Sequence, residues 1–205
     1  MIAAAVRLLL VVATLSACAS APIRQPVRAP TEAELRTVEQ ALVPLLPLLD
    51  PPLNLDCPLG LGVIRSTSIN AGVALARPGS GCPTFSLLVT DGALQRLPLA
   101  MLRAVLAHEL GHVRLGHLEA RRERGTTASV RGPFSAAFDR RQEAEADRFA
   151  VQLLRRLEGD RPDACVALVY VFSVLAEQPA GAGWLAAHPS PDRRAETVMA
   201  GCNGQ

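Results

Sequence analysis

The stretch LAHELGHVRLGH, Leu106 to His117, limits what this chain can fold into more than any other, because it holds three of the four histidines and a glutamate on one helical repeat. Apolar residues at Leu102, Val105, Leu106, Leu110 and Val113 recur with the period of a helix that buries one face. His108 and His112 stand four residues apart, so their rings project from one side, about 40° from each other. Two imidazoles so placed can ligate one metal ion. Glu109, one residue on, can reach a water beside that metal without binding the metal itself, which is the position a general base requires. The same five residues also occur on ordinary solvated helix faces, so the pattern needs a third ligand from elsewhere in the fold.

A catalytic zinc ion typically takes three protein ligands and keeps one position open. His117 lies five residues after His112, about 140° round a continuing helix, and is expected to point elsewhere. The spacing HExxHxxGxxH is not met either, since Gly116 and His117 fall at other offsets. The better candidate is on the next predicted helix, in RRQEAEADRFAVQLL. There Glu143 and Asp147 share a face, with Glu145 directed roughly the opposite way. Glu143 can complete the metal site. Asp147, one turn on, can accept the spare N–H of a metal-bound histidine and so fix its tautomer. By itself this acidic pattern reads as a solvated face; its place on the first helix after HELGH is what argues for a site.

The rest of the chain sets the context. A length of 205 residues suits one domain with appendages, and 49% hydrophobic with 3% aromatic residues means that aliphatic side chains fill the core. The formal charge of +2, carried entirely by arginine among the basic side chains, is too balanced for nucleic-acid binding. Residues 1–17 read as a lipoprotein signal peptide, with Arg7 before a short apolar run that is far below the ~20 residues of a spanning helix. Leu15, Ser16, Ala17 and Cys18 resemble the bacterial lipobox, which implies a lipid anchor on Cys18. Ala19 after that cysteine implies a periplasmic protein sorted to the outer membrane of a Gram-negative bacterium. Residues 18–30, rich in proline, read as the lipidated N-terminus and tether, and residues 31–205 as the catalytic domain. Four cysteines remain. Their even count in an exported chain suggests disulfides; of three possible pairings, Cys57 with Cys82 and Cys165 with Cys202 is favoured because each pair brackets a segment outside the metal motifs.

Thr31 with Glu34 predicts a capping box that opens a first helix. Short strands are expected at Leu61–Thr67, Ala71–Ala76 and Phe85–Thr90. The HELGH helix opens after Leu97-Pro98, residues 125–139 form a loop, and further helices are expected over 140–157, 163–177 and 192–200. The 163–177 helix is apolar on all sides and is expected to be buried.

HELGH at 108–112, ExEAD at 143–147 and the strand FSLLVTDGAL resemble the gluzincin peptidase family M48, which includes HtpX-like, CAAX prenyl, mitochondrial Oma and BepA-like proteases. Asn70-Ala71 resembles that family's "NA" strand motif, with Gly72 in place of the usual bulky residue. The resemblance implies an α+β fold, a minimal gluzincin-type zincin core whose small, mostly antiparallel sheet packs on the HELGH helix and several further helices. It implies one Zn2+ held by His108, His112 and Glu143, with Glu109 as base and proton shuttle. It also implies that Phe85, Ser86, Leu87, Leu88 and Val89 form an edge strand that binds an extended polypeptide substrate. His188, in HPSPDRR, matches the family's HPxxxxR segment, with Arg193 or Arg194 as its arginine. His188 would either stabilise the oxyanion or occupy the metal's open position; the arginines are candidate oxyanion or substrate contacts.

Three functions follow. The first is a lipid-anchored zinc endopeptidase acting on misfolded or unfolded cell-envelope proteins. The second is a periplasmic chaperone or outer-membrane assembly factor with a latent zinc site, gated by the 125–139 loop or His188. A structural metal site is the third; it is disfavoured because such sites are usually closed by four cysteines or histidines.

Overall fold

The computed structural model describes residues 27–50, 53, 59–75, 85–123, 140–159, 163–177 and 191–202. In chain order these form β1 (Val27–Arg28), α1 (Glu32–Leu42), a 3-10 turn (Leu46–Leu48), β2 (Gly60–Ile64), β3 (Ala71–Leu75) and β4 (Phe85–Thr90). They continue as α2 (Asp91–Arg96), α3 (Leu99–Arg114), α4 (His117–Glu123), α5 (Arg140–Glu158), α6 (Asp163–Ala176) and α7 (Pro191–Cys202). The fold is α+β, as the sequence implies. Among the described residues, no helix is long and apolar enough to cross a membrane.

α1 begins where the capping box places it. The Thr31 hydroxyl accepts from the Glu34 N–H at 3.3 Å, and the Glu34 carboxylate accepts from the Thr31 N–H at 2.7 Å. Val38, Ala41 and Leu42 then form the face that α1 buries, and the helix packs against α3. The β4–α2 junction is held by Thr90, whose hydroxyl caps α2 at Ala93 N–H (3.2 Å) and donates to the Ser68 carbonyl (2.7 Å).

The sheet has the order β1-β2-β4-β3. β4 runs parallel to β2 (Gly60↔Ser86 through Ile64↔Thr90) and antiparallel to β3 (Ala71↔Val89 through Leu75↔Phe85). The expected edge strand is therefore corrected: Ser86, Leu87, Leu88 and Val89 lie inside the sheet with ladder partners on both sides, and Phe85 pairs with Leu75 of β3. Leu87, Leu88, Val89 and Thr90 are buried in succession, the pattern of an interior strand rather than of an alternating edge. The outer strands of the described sheet are β1 and β3. β1 itself falls within the stretch read as tether; Val27 and Arg28 pair with Ile64 and Val63, so the folded part begins before residue 31.

α3 occupies the middle of the molecule, in contact with α1, α5, α6 and β3. Nine consecutive residues, Ala104 to His112, are buried. α5 lies along α3, and α6 and α7 pack on each other and on α5. α6 differs from expectation: Leu168, Val171, Phe172 and Leu175 face the core, whereas Val166 and Tyr170 are exposed, because no described element covers that side. Cys202 in α7 is disulfide-bonded. Cys18, Cys57, Cys82 and the Cys165 side chain lie outside the described residues, as do the expected pairings and the 125–139 loop.

Candidate metal centre

Because α3 is buried all round at its centre, the motif residues cannot be a solvated face. His108, Glu109 and His112 are each 0% exposed. Burying three ionisable side chains costs several kcal/mol unless partners or a metal compensate, so a chain that keeps them there has a use for them. Glu143 on α5 meets the pair at 1% exposure. Its Oε2 is 3.4 Å from His108 Nε2, its Oε1 is 3.5 Å from His112 Nε2, and the two Nε2 atoms are 3.0 Å apart. One donor atom from each of the three residues falls within 4.8 Å of the others. Two imidazoles and one carboxylate converging in a buried site fit a divalent transition metal with an open coordination position.

The helices can approach closely enough because of Gly111. A Cβ at that position would stand 3.0 Å from the Ala146 Cα and 3.1 Å from its carbonyl oxygen. The glycine of HELGH thus lets the α5 backbone lie directly against α3, which brings Glu143 to the histidines.

Asp147, one turn beyond Glu143, takes the place foreseen for it: its Oδ1 is 2.9 Å from His108 Nδ1. This leaves His108 Nε2 for a metal. Arg194 on α7 grips Asp147 through Nε (2.8 Å) and Nη2 (2.6 Å). Its Nη1 lies 3.3 Å from Glu143 Oε2, and its guanidinium stacks 4.7 Å from the Phe172 ring centroid. This geometry makes Arg194 an anchor of the carboxylates under the site, where the sequence suggested an oxyanion or substrate contact. Burial favours a neutral Asp147, but the charge and hydrogen bonds of Arg194, with those of His108, hold its carboxyl below the ordinary value. For His108, burial and the Arg194 charge push the imidazole down, while hydrogen bonds to Asp147 and Glu143 lift it; the lifting prevails, to about 9.

His117 departs from the direction that the sequence suggested. α3 ends at Arg114, and Gly116 adopts a left-handed φ of +67°, which terminates the helix and redirects the chain into α4. His117 therefore does not continue round α3. It turns back, 4% exposed, with Nδ1 at 2.9 Å from His112 Nδ1 and Nε2 at 3.1 Å from Glu145 Oε2. The signal was present in the sequence: a glycine just past the last apolar repeat marks a helix stop. His188 lies outside the described residues, and Arg193 is in α7 with its side chain outside them.

An HExxH helix buried against a second helix that supplies a glutamate defines the class: a metallopeptidase. The model of peptidase family M48 matches residues 62–130 and 123–200, more than half of the chain, and the chain belongs to that family. Compared with curated proteins, the sequence finds no significant match.

Proposed function

We propose that the protein is a zinc endopeptidase of the cell envelope, tethered by lipid on Cys18 to the periplasmic face of the outer membrane, and that it cleaves unfolded or misfolded polypeptides. The observation that carries the catalytic part is the buried His108–His112–Glu143 donor set with Glu109 on the same helix. When bound, zinc supplies a Lewis acid that lowers the pKa of a water from about 15.7 toward about 7. Glu109 takes the proton from the attacking water and returns it to the departing amine. Asp147 and Arg194 keep the His108 ring turned so that Nε2 faces the site. An extended substrate pairs with β3 (Ala71–Leu75), an outer strand of the described sheet that touches α3, rather than with β4. The sorting to the outer membrane rests on the LSAC motif and Ala19 alone.

Cleavage of an unfolded protein by the zinc-loaded chain, with Glu109→Gln in parallel, tests this reading. The expected result is a loss of about 10²- to 10⁴-fold in kcat with the metal retained. Zinc-loaded wild type that cleaves nothing would favour the chaperone or assembly role.

A further inference from the structure

The two imidazoles of the metal centre are supported differently. His108 rests directly on Asp147, whereas the outer nitrogen of His112 meets a third histidine. We propose that His117, held in turn by Glu145, is a positioning residue that fixes the ring orientation and tautomer of His112; this rests on the metal-centre reading above.

Ligation through His112 Nε2 would fix the protons along the described contacts. His112 Nε2 faces His108 Nε2 at 3.0 Å and Glu143 at 3.5 Å, so it is the nitrogen offered to a metal. A neutral imidazole that ligates through Nε2 carries its proton on Nδ1. That N–H donates to His117 Nδ1, 2.9 Å away, which must then be the unprotonated nitrogen of its ring. His117 Nε2 carries the remaining proton and donates to Glu145 Oε2 at 3.1 Å. Each donor in the chain meets an acceptor, and reversing any one tautomer would set two protons or two lone pairs against each other. With one nitrogen turned to His112 and the other to Glu145, His117 offers nothing to the metal, and among the described residues the converging donor set comprises His108, His112 and Glu143.

The placement also explains why an imidazole is interposed. On α5, Asp147 shares a face with Glu143 and reaches His108 unaided, but Glu145 leaves the helix on a different side. His117, swung back by Gly116, spans the remaining distance. Glu145 is itself steadied by Arg141, whose Nη1 lies 3.0 Å from Oε1. Both metal-facing histidines are thus oriented by carboxylates of one helix, one directly and one through His117.

The test compares the full chain with His117→Leu, which removes the acceptor, and His117→Gln, whose amide can accept from His112 and donate to Glu145. Three properties are read: affinity for Zn2+ by chelator competition, the visible spectrum of the Co2+-loaded protein, and thermal melting of the metal-free protein. His117→Leu should lose about 10- to 100-fold in affinity and change the Co2+ spectrum, with His117→Gln recovering most of both. Wild-type affinity and spectrum in His117→Leu would overturn the proposal. So would equal loss in both variants accompanied by a lowered metal-free melting temperature, since that marks a packing role. Because affinity and spectrum do not depend on turnover, a wild type that binds metal yet cleaves no peptide would refute the peptidase reading while the comparison among variants still decides this one. A wild type that binds neither ion would overturn both.

Discussion

Asp147 has no exposed surface, and it keeps its charge because Arg194 forks onto it from α7. Replacing Arg194 with methionine would leave a buried carboxylate with His108 as its one partner among the described residues, and breaking a buried pair from one side costs about 3–5 kcal/mol. Arg194→Met should therefore lower the unfolding free energy of the metal-free protein by that order, seen as an earlier urea midpoint, and Asp147→Asn in the same background should regain part of it. If the single variant unfolds at the wild-type midpoint, Arg194 is not the anchor described. At this scale the sequence showed the metal-facing residues well, because helical spacing alone puts His108, His112, Glu143 and Asp147 on the right faces. It could not show Arg194 at Asp147, 47 residues away, since that contact depends on how α7 packs. It misjudged the direction of His117 for a local reason: Gly116 ends α3 before His117, so the angle expected on an uninterrupted helix does not apply.

Among elements, the decisive contact is α3 against α5, and its narrowest point is Gly111. The atoms that a Cβ there would meet are the Cα and carbonyl oxygen of Ala146, which are backbone and cannot rotate away. Gly111→Ala must separate the helices by a few tenths of an ångström. The expected cost is about 1–3 kcal/mol in denaturant unfolding, together with weaker metal binding as Glu143 withdraws from the histidines. Ala146→Gly in the same chain should restore little, because the Cα and oxygen remain; full rescue would show that the methyl group, not the backbone, sets the distance. The long elements were legible from periodicity and caps: Thr31 opens α1, and α5 runs Arg140–Glu158 where 140–157 was expected. α2 and α4, at 6 and 7 residues, are too short to declare a period and went unseen. Strand order was also hidden, because the parallel β2–β4 ladder joins residues 26 apart and leaves β3 outermost. The unbroken apolar run of β4 was the clue to its interior place.

For the molecule as a whole, arginines tie separate layers together. Arg114 donates twice to the Asp50 carbonyl (2.9 and 2.7 Å), Arg156 to that of Leu48 (3.1 Å), and Arg103 to the end of α1 at Gln40 (3.2 Å). Arg28 in β1 joins the sheet to two helices, pairing with Glu34 of α1 at 2.6 Å and with Asp91 of α2. This junction has a pH signature. The hydrogen bond from Arg28 outweighs partial desolvation, with help from Thr31, and lowers the Glu34 carboxyl from 4.5 to about 2. A carboxyl that is more acidic when folded stabilises the protein fully above its unfolded value and loses that contribution as protons bind the native state. The Glu34 contribution should thus be complete above about 4.5 and vanish as the pH falls through about 2. Both side chains are partly solvated, at 26% and 20% exposure, so screening keeps its size near 1 kcal/mol. Urea unfolding of wild type and Glu34→Gln across that window should show a gap at neutral pH that closes toward the acid end. A gap that persists unchanged to the acid limit would mean that Glu34 acts through the Thr31 capping bonds, which glutamine can mimic only in part, and not through its charge on Arg28.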